Sequence, residues 1–224
     1  RFDMGSLYLL GPSPLSQDRT CVSGRRCVVG SLTGLALPES EVVVLDTCGV
    51  STALPLAAPF PAALPAGFVA VSGTASCWPT PHLGHGECRA PGGQYRLCWC
   101  SSSRNTMNAS LALQNESRSA CRRGEDFSMD VGSFTVIGPS PISQRITCIA
   151  GQTCRFQVSG TGIELDEAGH HSYMILDTCG INSVIEGLPY NWAIEVVTAA
   201  GGTYQLCWCG SSNCTVAAEF LLPF

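Results

Sequence analysis

Through the second half of the chain the apolar positions come in short runs rich in Val, Ile, Thr and aromatics, interrupted by Gly, Pro and Ser. This punctuation predicts strands. Between 133 and 222 the runs SFTVI, QRITCIA, CRFQV, YMILDT, NWAIEVV, TYQLCWC and TVAAEFLL give about seven of them. No stretch holds a helical period over three turns. The sharpest pattern is GGxYxLCWC, present from 92 and from 201. Period-two alternation puts Tyr95, Leu97 and Trp99 on one face and Arg96, Cys98 and Cys100 on the other, a split repeated by Tyr204, Leu206 and Trp208 against Gln205, Cys207 and Cys209. The aromatic face is expected to form the core. The cysteines are expected on the outer face, as staples to neighbouring strands or to a covering loop.

The same pattern occurs twice because the chain is duplicated. Residues 5–27, GSLYLLGPSPLSQDRTCVSGRRC, lie over 132–154, GSFTVIGPSPISQRITCIAGQTC, without a gap and with 12 of 23 positions identical. LDTCG at 45–49 then matches 176–180, and GGQYRLCWCSSS matches GGTYQLCWCGSS. Even the ends agree, since Cys121 and Cys214 each stand six residues before a phenylalanine, Phe127 and Phe220. The expected organisation is a tandem pair, 1–126 and 127–224, joined near Glu125 to Asp130. With about seven strands per copy, each repeat is expected to be an immunoglobulin-like β-sandwich, small barrels being the alternative.

Composition narrows the setting. Fourteen cysteines in 224 residues belong to an oxidising compartment, and only 13% of residues are charged. The twelve basic residues are all arginine and the net charge is −5, which leaves no basic surface for nucleic acid. The chain opens at Arg1 without a charged n-region and apolar run, the expectation for mature secreted material. From Gly49 to Gly86 there is no charged Asp, Glu, Lys or Arg until Glu87, but Pro55, Pro59, Pro61 and Pro65 fall within eleven residues. Each removes an amide donor, so 53–66 is expected to be an extended, polyproline-like loop and no membrane span.

Six cysteines match between copies, and Cys77 and Cys88 remain as a private pair of the first. An even count with no remainder predicts a disulfide framework. The expected pairs are Cys21–Cys27, Cys48–Cys98, Cys100–Cys121 and Cys77–Cys88, then Cys148–Cys154, Cys179–Cys207 and Cys209–Cys214. An exchange of partners among Cys48, Cys98, Cys100 and Cys121 stays open. The segment Cys77, His82, His85, Cys88 has zinc-ligand residue types at a spacing unlike a finger, so a loop staple is expected and no metal or other cofactor. His170-His171 is expected in a solvated loop. Asp46 and Asp177 in LDTCG are the candidates for general-base or nucleophile chemistry, yet neither copy offers a shared histidine to position them. They are expected to cap turns, without catalysis. Asn108-Ala-Ser, Asn115-Glu-Ser and Asn213-Cys-Thr are acceptors for N-linked glycans, the first two inside an insertion at 104–119 that the second copy lacks.

The combination of GPSP(L/I)SQ, TCx5C, LDTCG and GGxYxLCWC resembles the cysteine-rich repeats of secreted or cell-surface proteins of algae and other protists. It covers both copies. The resemblance implies an extracellular protein in arrays, with an architectural or adhesive role and no chemistry. The expected function is therefore a structural extracellular glycoprotein that polymerises with itself head to tail into a helical fibril or surface coat, the alternative being a secreted adhesive or lectin-like binding module. Two apolar groups are expected to form the assembly surface. One is Leu54, Leu56, Phe60 and Leu64 of the proline-rich loop; the other joins Phe220, Leu221, Leu222 and Phe224 of one molecule to Phe2 and Met4 of the next.

Overall fold

A computed structural model describes residues 5–25, 32–35, 37, 40–50, 69–71, 75–77, 90–101, 121, 123–163, 173–182, 184–189, 194–210 and 214–224. Strands dominate them: β1 (Gly11–Pro12), β2 (Arg19–Val22), β3 (Gly34–Leu35), β4 (Ser40–Leu45), β5 (Val69–Val71), β6 (Ala75–Cys77), β7 (Gly93–Ser101), β8 (Met129–Pro139), β9 (Gly160–Thr161), β10 (Tyr173–Leu176), β11 (Gln205–Trp208) and β12 (Leu222–Pro223). The helical content described is 3-10 turns at Gly124–Asp126 and Ala217–Glu219. The fold is all-β and disulfide-rich, and no helix among the described residues is long and apolar enough to cross a membrane.

The chain divides into two units that do not follow the repeat boundary at 126. Unit 1 holds Arg1–Arg19, Val28–Ser76 and Gln94–Phe134, and unit 2 holds Thr20–Cys27, Cys77–Gly93 and Thr135–Phe224. Unit 2 is thus the second repeat from Thr135 onward plus two segments of the first, and the first residues of the second repeat, through Phe134, belong to unit 1.

In unit 1, β4 and β7 pair antiparallel from Ser40↔Ser101 to Leu45↔Arg96, so Val43 lies opposite Cys98 and Val44 opposite Leu97. Both faces are covered. Val44 and Leu97 are fully buried on one. On the other, Val43, Leu45, Cys98, Cys100, Cys121 and Phe127 form a second core. The cysteine face is therefore interior, where alternation alone placed it outward. Phe127 closes over it, held by the 3-10 turn before it and by the Gly49 N–H donating to the Phe127 carbonyl at 2.9 Å. Paired sulfurs are apolar, so bridges Cys48–Cys98 and Cys100–Cys121 pack there without an unpaired polar group.

Unit 2 repeats the plan. β10 and β11 pair through Tyr173↔Trp208 and Ile175↔Leu206, and β12 adds to β11 through Cys207↔Pro223 and Trp208↔Leu222. One face carries Tyr173, Leu206, Trp208, Leu222, Val158 and Val197. Phe156 and Phe224 flank Tyr173 at ring-centroid distances of 6.0 and 6.4 Å. The opposite face carries Leu176, Cys207, Cys209, Ala217 and Phe220 around the bridges Cys179–Cys207 and Cys209–Cys214. Burial pushes the Tyr173 phenol above its usual pKa.

Four of the runs expected as strands differ, one being NWAIEVV, whose described residues 194–197 lie in no named strand and contribute the isolated bridge Thr153↔Val196. Residues 146–149 and 154–158 belong to no ladder, although the repeat equivalent of the former, 19–22, is strand β2. TVAAEFLL turns through a 3-10 segment before its last residues pair, because Glu219 accepts the backbone N–H groups of Thr215 and Val216 at 2.7 and 3.1 Å and so closes the turn.

Candidate assembly site

The repeated motifs resolve first into scaffold. In GPSP(L/I)SQ the Ser-Pro bonds 13–14 and 140–141 are both cis. Gln17 then spans two strands of chain: its Nε2 donates to Pro14 and Thr33 carbonyls at 2.8 and 2.9 Å while its Oε1 accepts the Thr33 N–H at 2.8 Å. Gln144 repeats the same tie to Pro141 and Ser159. In LDTCG, Gly49 and Gly180 adopt φ of 74° and 79°, and each donates its N–H to the carbonyl of the plugging phenylalanine. That turn needs glycine. Asp46 and Asp177 lie exposed beside it.

The turn at 21–25 is built differently, because it is an insert in unit 2. Gly24 has φ +78° and the Arg25 N–H donates to the Val22 carbonyl at 3.2 Å, which fixes the turn. Ser23, fully buried, donates its N–H to Ile137 of β8 at 2.8 Å and its Oγ to the Ala90 carbonyl at 2.6 Å. Its own carbonyl accepts the Trp208 Nε1–H at 3.1 Å, a bond between residues 185 positions apart. Close packing surrounds these bonds. A Cβ added at Gly210 would run into Val22, one at Gly24 would press on Leu222 at 3.1 Å, and one at Gly138 would meet Ser23 at 2.6 Å. The second repeat's first strand and its tryptophan are thus closed by a turn of the first repeat.

Among the described residues, the turn and the strand of this closure have repeat equivalents without a cover, and the tryptophan has one without an acceptor. The turn 148–152 has the same conformation: Gly151 φ is +86° and the Gln152 N–H donates to the Ile149 carbonyl at 3.2 Å. It is braced from behind by Gly151 and Gln152 bonding Val197 at 2.7 and 3.0 Å. Yet Ile149, in the place of Val22, is 63% exposed, and a Cβ on Gly151 would meet nothing. Leu7 and Leu9, in the places of the fully buried Phe134 and Val136, are 91% and 80% exposed. Trp99, in the place of Trp208, has the buried side-chain nitrogen that lacks a hydrogen-bond partner among the described residues. Sequence reading missed these positions, since identical motifs carry no sign of which copy is covered.

The residues expected to form the assembly surface are placed otherwise. Phe220 and Leu222 are buried within unit 2, Leu222 pairing with Trp208, and Phe224 packs on Tyr173. These three belong to their own core, where alternation of bulk and pairing with β11 hold them, and only Leu221 of the group is exposed. Phe2, Met4, Leu54, Leu56, Phe60 and Leu64 lie outside the described residues, as do Asn108, Asn115, Asn213, His82, His85, Cys88, His170, His171 and Cys27. Cys77 ends β6 and Cys21 is disulfide-bonded. Cys148–Cys154 closes the exposed turn of the second repeat. No group of three or more His, Cys, Asp or Glu suited to a metal occurs among the described residues. No family model, curated protein or solved structure matches the chain.

Proposed function

We propose that this chain is a structural subunit of an extracellular fibril or coat, built from two disulfide-stapled β-sandwich repeats and joined to further copies head to tail, with no catalytic role. The observation that carries the reading is the row Leu7, Tyr8, Leu9 and Leu10, exposed by 91, 77, 80 and 53%. Four consecutive apolar residues in water are a liability unless something covers them. Their repeat equivalents, 134–137, lie in β8 with Phe134 and Val136 fully buried. The disulfides suit an oxidising, extracellular setting. The aspartates of LDTCG serve a turn whose glycine N–H and cysteine have structural partners, which favours scaffold over chemistry.

Negative-stain microscopy of purified chain across a concentration series tests the reading. Filaments or sheets that lengthen with concentration are expected. Isolated particles at every concentration would refute a polymer and favour an adhesive or lectin-like module.

A further inference from the structure

We propose that residues 146–152 of one molecule dock on Leu7–Leu10 of a second copy. This rests on the head-to-tail reading and names its contact.

The template is inside unit 2. There the first repeat's turn lays Ser23 against β8 and presents its carbonyl to Trp208. Moving the turn and the strand to their repeat equivalents gives Ala150 for Ser23, Ile149 for Val22 and Leu7–Leu10 for 134–137. Ile149 and Leu7–Leu10 are in the state an uncovered interface requires. The turn is already formed, with Gly151 open to solvent on the side where Gly24 meets Leu222. Residues 146–149 and 7–10 are both outside any ladder, whereas their equivalents 19–22 and 134–137 are strands β2 and β8, neighbours in one sheet. Backbone donors and acceptors are therefore available on both sides.

The repeat itself points to the occupant. The cover of 134–137 is a turn of sequence TCVSGRRC, whose Ser23 N–H donates to the Ile137 carbonyl and whose strand β2 lies beside β8. The chain holds one other turn of this pattern, TCIAGQTC, and it faces water. A second copy of this chain supplies it. Each molecule then offers one clamp and one acceptor, so the contact is heterologous and propagates. Two substitutions adjust the fit. Ser101 stands where Gly210 lets Val22 approach, and Ala150 lacks the hydroxyl by which Ser23 reaches Ala90.

Two exposed positions block the two sides without entering a core: Ile149→Asp on the clamp and Leu9→Asp on the acceptor. Sedimentation velocity is expected to show concentration-dependent oligomers for the wild-type chain and monomers for each variant alone. An equimolar mixture of the two variants should give dimers and stop, because one supplies the intact clamp and the other the intact acceptor. Wild-type chain that assembles while both aspartate variants assemble equally would overturn this contact and leave the polymer reading standing. Wild-type chain that stays monomeric throughout would overturn both.

Discussion

The indole nitrogen of Trp208 donates to the carbonyl of Ser23 across 185 residues of chain, and this bond is the clearest sign that the two repeats are not self-contained. Trp99 occupies the same place in the same motif and has no acceptor among the described residues. One sequence element thus exists in two states, hydrogen-bonded in unit 2 and unpaired among the described residues in unit 1.

The difference can be read as stability of the monomer. Trp208→Phe leaves the Ser23 carbonyl buried without its donor and is expected to cost about 1–3 kcal/mol. Trp99→Phe removes an already unpaired donor, so the gain offsets the smaller ring and the change should stay within about 1 kcal/mol. Urea unfolding of dilute chain measures both. Equal losses for the two variants would contradict the asymmetry.

Gly24 and Gly151 form a second matched pair. Both have positive φ, 78° and 86°, so alanine strains the backbone equally at each. Only at Gly24 does the added methyl press on Leu222, at 3.1 Å. Gly24→Ala should therefore destabilise the monomer by about 1 kcal/mol more than Gly151→Ala. Thermal unfolding compares them, and a larger loss at Gly151 would show that the second turn is already packed.

The disulfides should rank by the length of chain they close. Cys48–Cys98 spans 50 residues, Cys179–Cys207 spans 28 and Cys209–Cys214 spans 5. The chain-entropy model gives about 4, about 3.5 and about 2 kcal/mol for these loops. Paired Cys→Ala variants, unfolded in urea, should follow that order. Non-reducing peptide mapping of the native protein should show no alkylatable thiol.

Much of this was legible in the residues. The duplication follows from 12 identities in 23 aligned positions, and strand character follows from short β-branched runs closed by Gly and Pro. Period two also separated Leu97 from Cys98 correctly as opposite faces. It did not reveal that both faces are interior, because the cover, Phe127 or Phe220, arrives from a distant segment whose spacing from Cys121 or Cys214 gives no direction. The apolar C-terminal residues looked like surface for the same reason: β12 pairs with β11, and no local pattern specifies that partner. Trp99 and Trp208 differ wholly through their neighbours, a tertiary fact that two copies of one motif cannot encode.

Acid should loosen each unit at a named carboxylate. Asp18 accepts the Ser133 N–H at 2.7 Å, and that backbone bond holds its pKa below the ordinary 3.8. Glu219 accepts the N–H groups of Val216 and Thr215, the former the larger cause, and is likewise held below its ordinary 4.5. Groups with folded pKa values below their unfolded ones add stability that is complete above the unfolded pKa and is lost as pH falls through the folded one. Stability should consequently be level from neutral pH down to about 4.5 and decline below it. Glu219→Gln removes the titrating group, so its stability should start lower at pH 7 and fall less steeply between pH 4.5 and 2. Urea midpoints across that range decide the matter. A variant curve parallel to that of the wild-type chain would show that the turn at 217–219 does not depend on the ionised carboxylate.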